Sequence, residues 1–194
     1  TGTIATSSGV ANNATFSIGA AKIVDSLSGG GTTLLGANTL TIGDASNTAS
    51  TFSGQIQGSG GLTKAGTGTL TLGGGNTYTG ATTISAGTLA LNATGTIAAS
   101  SGVANSGTLS IAGAKTIDSM TGAGGTVLAG NILTIGDGSD TSSTYTGIIS
   151  GTGGLTKAGA GTLTLGGVNT YTGATTIAAG TLALNATGPI AASS

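Results

Sequence analysis

Apolar and polar residues alternate along this chain in short blocks. Thr15-Phe-Ser-Ile18, Thr39-Leu-Thr-Ile42, Thr69-Leu-Thr-Leu72, Thr88-Leu-Ala-Leu91 and Thr108-Leu-Ser-Ile111 share one four-residue pattern. A period of two is that of a strand with one buried face. In this phase Phe16, Ile18, Leu40, Ile42, Leu70, Leu72, Ile84, Leu89 and Leu91 point inward, while Thr69, Thr71 and Thr88 point outward. Clusters such as Gly29-Gly-Gly31 and Gly73-Gly-Gly-Asn76 stand between blocks, where tight corners need residues tolerant of positive φ. No apolar stripe of period 3.6 appears, and Gly, Thr and Ser all disfavour helix.

The blocks sit inside a longer repeat. Thr1-Gly-Thr-Ile-Ala returns as Thr94-Gly-Thr-Ile-Ala and again as Thr187-Gly-Pro-Ile-Ala, an offset of 93 residues that holds without a gap. The chain therefore reads as repeat 1 (1–93), repeat 2 (94–186) and the start of a third (187–194), all in one continuous structure. Block starts are 24, 30, 19 and 20 residues apart. Coils of about 23 residues suit one turn of a three-sided solenoid better than a hairpin. The expected fold is all-β, a parallel β-helix (β-solenoid) with about four coils per 93-residue repeat. An immunoglobulin-like sandwich competes less well, because its strands need not recur at this internal period.

Composition narrows the function classes. Glycine supplies 40 of 194 residues, and charged residues make up 5%. Lys22, Lys64, Lys115 and Lys157 oppose Asp25, Asp44, Asp118, Asp137 and Asp140. Four dispersed lysines cannot form the basic patch that nucleic acid or an anionic membrane surface demands. They are expected to be exposed and to help solubility. No apolar run approaches a membrane span, and no signal peptide opens the sequence. Cysteine is absent, which excludes disulfides and thiolate metal sites and suits passage through an outer membrane in the unfolded state.

Two stretches carry a family resemblance. Gly60-Gly-Leu-Thr-Lys-Ala-Gly-Thr-Gly-Thr-Leu-Thr-Leu-Gly73 is followed by Asn76-Thr-Tyr-Thr-Gly-Ala-Thr-Thr-Ile84 and Gly87-Thr-Leu-Ala-Leu91. The second copy runs from Gly153 to Leu184 with few changes. This resembles the passenger-associated transport repeat of bacterial autotransporters, also called the autotransporter-associated β-strand repeat. The resemblance covers about a third of each unit. It implies a right-handed parallel β-helix, secretion through an outer-membrane translocator, and display or release at the cell surface. It implies no catalytic motif, and no translocation barrel is present in this sequence.

The chemistry of catalysis is missing. Without histidine or cysteine there is no Ser/His/Asp or Cys/His arrangement and no ordinary zinc site. Asp25 with Asp118, and Asp44 with Asp137, recur at the repeat offset, which four coils would hold roughly 19 Å apart, too far for a carboxylate pair. Asp137-Gly-Ser-Asp140 offers oxygen ligands in a turn, but neither an EF-hand nor a calcium nonapeptide surrounds it; a solvated turn is expected. Tyr78 and Tyr171 share one Asn-Thr-Tyr-Thr context and are expected to pack at coil corners. Asn13, Asn92 and Asn185 each begin an Asn-Ala-Thr sequon, which matters only in a eukaryotic source.

The expectation is a non-enzymatic structural or adhesive stalk or fibre segment of a secreted bacterial surface protein, with no catalytic, metal or cofactor site. Its expected partners are further copies of itself, or a glycan or protein of a host or cell surface. The alternative is an ice- or surface-binding solenoid using Thr-x-Thr rows such as Thr39/Thr41 and Thr69/Thr71.

Overall fold

The computed structural model describes residues 9–43, 48–136 and 141–186. The turn at Asp137 and Asp140, Asp44, and the segments 1–8 and 187–194 lie outside them. Among the described residues all elements are strands of two to four residues, and every pairing between them is parallel. The chain is a parallel β-solenoid of more than eight turns, as the alternation predicted.

Three faces make up the solenoid. The first stacks Val10–Ala11, Leu27–Ser28, Ser50–Phe52, Thr69–Leu72, Thr88–Leu91, Thr108–Ile111, Gly125–Val127 and Ile148–Ser150. The second stacks Thr15–Ser17, Thr32–Leu34 and Gln55–Gln57, then Lys115–Ile117, Leu133–Ile135, Leu155–Lys157 and Thr175–Ile177. Its two halves are separated by extended segments around Thr77 and Thr96, joined by Thr77 N–H donating to Ile56 O (2.9 Å) and by a Gly75–Thr96 bridge. The third stacks Lys22–Val24, Leu40–Ile42, Leu62–Lys64, Thr82–Ile84, Val103–Asn105, Met120–Thr121, Ser143–Tyr145, Thr162–Leu165 and Thr181–Leu184.

Register confirms the predicted phase. Leu70, Leu89 and Leu109 lie directly over one another, as do Leu72, Leu91 and Ile111. All are buried, as are Ile18, Leu40, Ile42 and Ile84; Phe16 is half-buried against the same core. One coil has no second layer to cover its inner face, so each coil is held by its neighbours.

Coil length differs from expectation. Partners in register are 17 residues apart at Val10 and Leu27 and 23 apart at Thr32 and Gln55, with about 20 the usual step. The blocks beginning at Thr69, Thr88 and Thr108 stack on the first face, whereas those at Thr15 and Thr39 lie on the second and third. Strands that lack the four-residue signature, such as Gln55–Gln57 and Gly125–Val127, fill the sides between.

The repeat and the coil are out of step. Each strand from Val10–Ala11 to Thr88–Leu91 has a counterpart 93 residues later, twelve in each copy. Two further extended sides, seen in the second repeat near Thr96 and Thr170, bring the repeat to fourteen sides. Fourteen is not a multiple of three, so a repeat takes four turns and two more sides. Equivalent strands therefore occupy different faces. Thr69–Leu72 belongs to the first face and its counterpart Thr162–Leu165 to the third.

Glycine sets the corners. A Cβ on Gly54 would lie 1.8 Å from the carbonyl oxygen of Gly31, and one on Gly74 1.9 Å from that of Gly54. Successive coils touch there through bare backbone.

Candidate interaction surface

Among the described residues most lysines and aspartates are withdrawn from the surface. Lys64, Lys115 and Lys157 are buried, as are Asp25 and Asp118, and Lys22 is half-buried. This corrects the expectation of exposed lysines. The cause lies in strand phase. Leu62-Thr-Lys64 alternates, so Lys64 takes the inward place, in register between Ile42 and Ile84. Only 2% of it is exposed.

Each ammonium is instead bound by backbone carbonyls. Lys64 Nζ donates to Ala65 O, to Gly66 O (2.8 Å) and to Ala86 O one coil on (3.5 Å). Lys157 Nζ donates to Ala158 O and to Gly159 O (2.8 Å). Lys115 Nζ donates to Ala93 O (3.0 Å). Burial lowers the pKa of Lys64 and Lys115, because removing the ammonium from water penalises its charged form.

The aromatic rings are inside as well. Tyr78 and Tyr171, expected at coil corners, are buried in the core. Their hydroxyls each lie 2.7 Å from a threonine hydroxyl, Thr82 and Thr175. Thr82 donates onward to Ser100 Oγ (2.9 Å), and Ser100 to Gly80 O (3.0 Å). Tyr145 meets Thr126 (2.9 Å), Asn105 and Gly124 O. Burial raises the pKa of all three phenols. Asn76 and Asn169 replace missing ladder bonds at the irregular sides, their Oδ1 atoms accepting from Ile56 N–H (2.9 Å) and Ile149 N–H (3.0 Å). Sequence reading missed these asparagines; their place two residues before the paired tyrosines was the available signal.

Among the described residues the outward files are mostly small and hydroxyl-bearing, with the larger Ile23, Val127, Ile132, Ile148 and Val168 also exposed. On the third face the outward file runs Ile23, Thr41, Thr63, Thr83, Ala104 and Thr121 in register, and continues with Thr144 and Thr164. The first face presents Thr51, Thr71, Ala90, Ser110 and Val127. Thr69/Thr71 is followed above by Thr88/Ala90 and then Thr108/Ser110, so a two-file Thr-x-Thr array is not sustained. Asp25 and Asp118 follow strands on the third and second faces; the structure does not bring them together.

A parallel solenoid whose outward files are mostly hydroxyl-bearing is the architecture of a repeat protein. Residues 62–91 and 155–184 each match the passenger-associated-transport-repeat. The chain is 42% identical, over 163 aligned positions taking in 76% of it, to the "Adhesin BmaC autotransporter" of Brucella suis biovar 1 (strain 1330), and spans 4% of that protein. No solved structure matches significantly. The chain is a segment that carries two passenger-associated-transport repeats and resembles a bacterial autotransporter. Such a segment is secreted and stands at the cell surface.

Proposed function

We propose that this segment is a non-catalytic, adhesive stalk that meets other surfaces through its uncharged hydroxyl-bearing sides. The observation that carries the reading is the withdrawal of charge. Among the described residues every lysine and aspartate is buried or half-buried, and the outward files are mostly threonine, serine and alanine, interrupted by Ile23, Val127 and Ile148. The autotransporter relative is named an adhesin, which supports the same reading. Secretion through an outer-membrane barrel is what the passenger-associated repeats imply. A protein or glycan of the opposing surface is the partner proposed. Because four of the five aromatic rings are buried and Phe16 is half-buried against the core, such a partner would be held chiefly by hydrogen bonds and apolar contact.

The test is adherence of inert beads coated with the chain to animal-cell monolayers, at physiological salt and at about 1 M salt, where charge attraction is screened within about 3 Å. Attachment above that of bare beads, little changed by salt, is expected. No attachment, or attachment lost in salt, would overturn the proposal. The ice-binding alternative is weaker because its paired rows are interrupted; thermal hysteresis in concentrated solution would restore it.

A further inference from the structure

Proteases of trypsin and chymotrypsin specificity take a cationic or an aromatic side chain into a pocket before cutting the bond after it. In this chain such groups are few, and all of them lie in described residues. Arginine is absent, so Lys22, Lys64, Lys115 and Lys157 are the whole cationic set. The rings are Phe16, Phe52, Tyr78, Tyr145 and Tyr171. Lys22 and Phe16 are half-buried within strands, and the rest are buried.

Burial is one obstacle and pairing is a second. Leu62–Lys64 is held between Leu40–Ile42 and Thr82–Ile84, and Leu155–Lys157 between Leu133–Ile135 and Thr175–Ile177. Lys115 opens a strand paired with Leu133–Ile135, and its ammonium reaches back one coil to Ala93 O. Presenting any of these lysines to a protease means breaking a ladder and pulling the ammonium from its carbonyls. The phenols are fastened too, Tyr78 to Thr82, Tyr171 to Thr175, and Tyr145 to Thr126 and Asn105. Exposed corners are the usual places for nicking, and here they carry residues such as Ala37, beside Gly36, and Ala123, between Gly122 and Gly124.

We propose that this placement makes the folded segment a non-substrate for secreted proteases of trypsin and chymotrypsin specificity, while the same chain unfolded is open to both. The alanine and glycine at those corners fill neither pocket. Cleavage must then wait for a coil to open, so its rate follows the population of opened coils. Coils paired on both sides keep that population low. A segment built this way persists among such proteases, and a copy that fails to fold is removed by them.

The experiment digests the 194-residue chain with trypsin and, separately, with chymotrypsin, and locates the cuts by mass spectrometry. Ala123→Lys and Ala123→Tyr each move one recognisable group to an exposed corner, and Ala37→Lys repeats the lysine test at another. Circular dichroism checks that each variant folds, and the two corners guard against one that does not. Native chain is expected to be cut after Lys64, Lys115 and Lys157 at least about 100-fold more slowly than chain unfolded in urea. Trypsin is expected to cut the lysine variants after positions 123 and 37, and chymotrypsin to cut Ala123→Tyr after position 123. Native chain cut at those three lysines, or at its buried rings, as fast as the variants are cut at their corners would overturn the inference. So would folded variants as resistant as the native chain, because resistance would then belong to the backbone and not to where the lysines and rings lie. Neither digest depends on adherence, so the result is separate from that of the bead assay.

Discussion

Thr71 and Thr164 are the same residue of the repeat, 93 positions apart, yet they look out from different faces of the solenoid. Thr71 lies beside Ala90 on the first face, and Thr164 lies beside Ala183 on the third. The local neighbourhood is conserved while the direction changes. Fourteen sides wound three to a turn leave each repeat rotated against the last, and three repeats are needed before a residue faces the same way again. A solenoid built like this presents equivalent residues in different directions around its circumference.

Close backbone contact at the corners can be tested with two glycines. Gly54→Ala sets a methyl against the Gly31 carbonyl, whereas a Cβ on Gly75 meets nothing within 4 Å. The second repeat already carries Val168 where the first has Gly75, and keeps Gly147 in place of Gly54. Gly54→Ala is expected to cost about 2–3 kcal/mol or more from overpacking. Gly75→Ala should stay within about 0.5 kcal/mol of the native chain. Urea titration of both variants checks the pair.

Strand phase is tested at Leu70 and Leu163, each 1% exposed. Aspartate at either site places an unpaired charge in the core and removes the leucine from its stack. A loss of about 5 kcal/mol is expected, seen as a lowered melting transition. An unchanged melt would contradict the assignment of inward residues.

Lys64 binds the corner after its own strand to the next coil through Ala86. Lys64→Ala leaves a cavity and strips the carbonyls of Ala65 and Gly66 of a donor. A loss of about 2–4 kcal/mol is expected, and Lys157→Ala should behave alike. Stability unchanged in both would show that the ammonium contributes nothing to the corner.

Alkaline pH separates two buried chemistries. Folding lowers the pKa of Lys64 and Lys115, so the unfolded chain binds more protons between their folded values and the usual lysine value near about 10.4. Stability from these groups rises with pH through that window. Folding raises the pKa of Tyr78, Tyr145 and Tyr171, so above about pH 10 the unfolded chain alone loses phenolic protons, and stability falls. Phenolate absorbance is expected to appear with unfolding and not before it. Absorbance that rises near pH 10 while the fold persists would contradict the burial of the three rings.

Much of this architecture was legible in the alternating blocks. Thr69-Leu-Thr-Leu72 shows its buried face directly, and the 93-residue offset identifies a repeat. The turn length was not legible, because strands such as Lys22–Val24 and Gln55–Gln57 contribute one or two apolar residues each and leave no periodic trace. The lysines were misplaced by treating charge as a surface property. The alternation Leu62-Thr-Lys64 already assigned an inward position, and nearby corner carbonyls make it tolerable.

The central structural claim, a continuous solenoid whose repeat advances by fourteen sides, is most directly tested by the length of engineered tandem arrays. Rods bearing increasing numbers of the 93-residue repeat would be measured by electron microscopy. At one coil per strand spacing, each added repeat should lengthen the rod by about 22 Å. An increment near about 19 Å, as four whole turns would give, or a length that does not grow in proportion, would contradict the account.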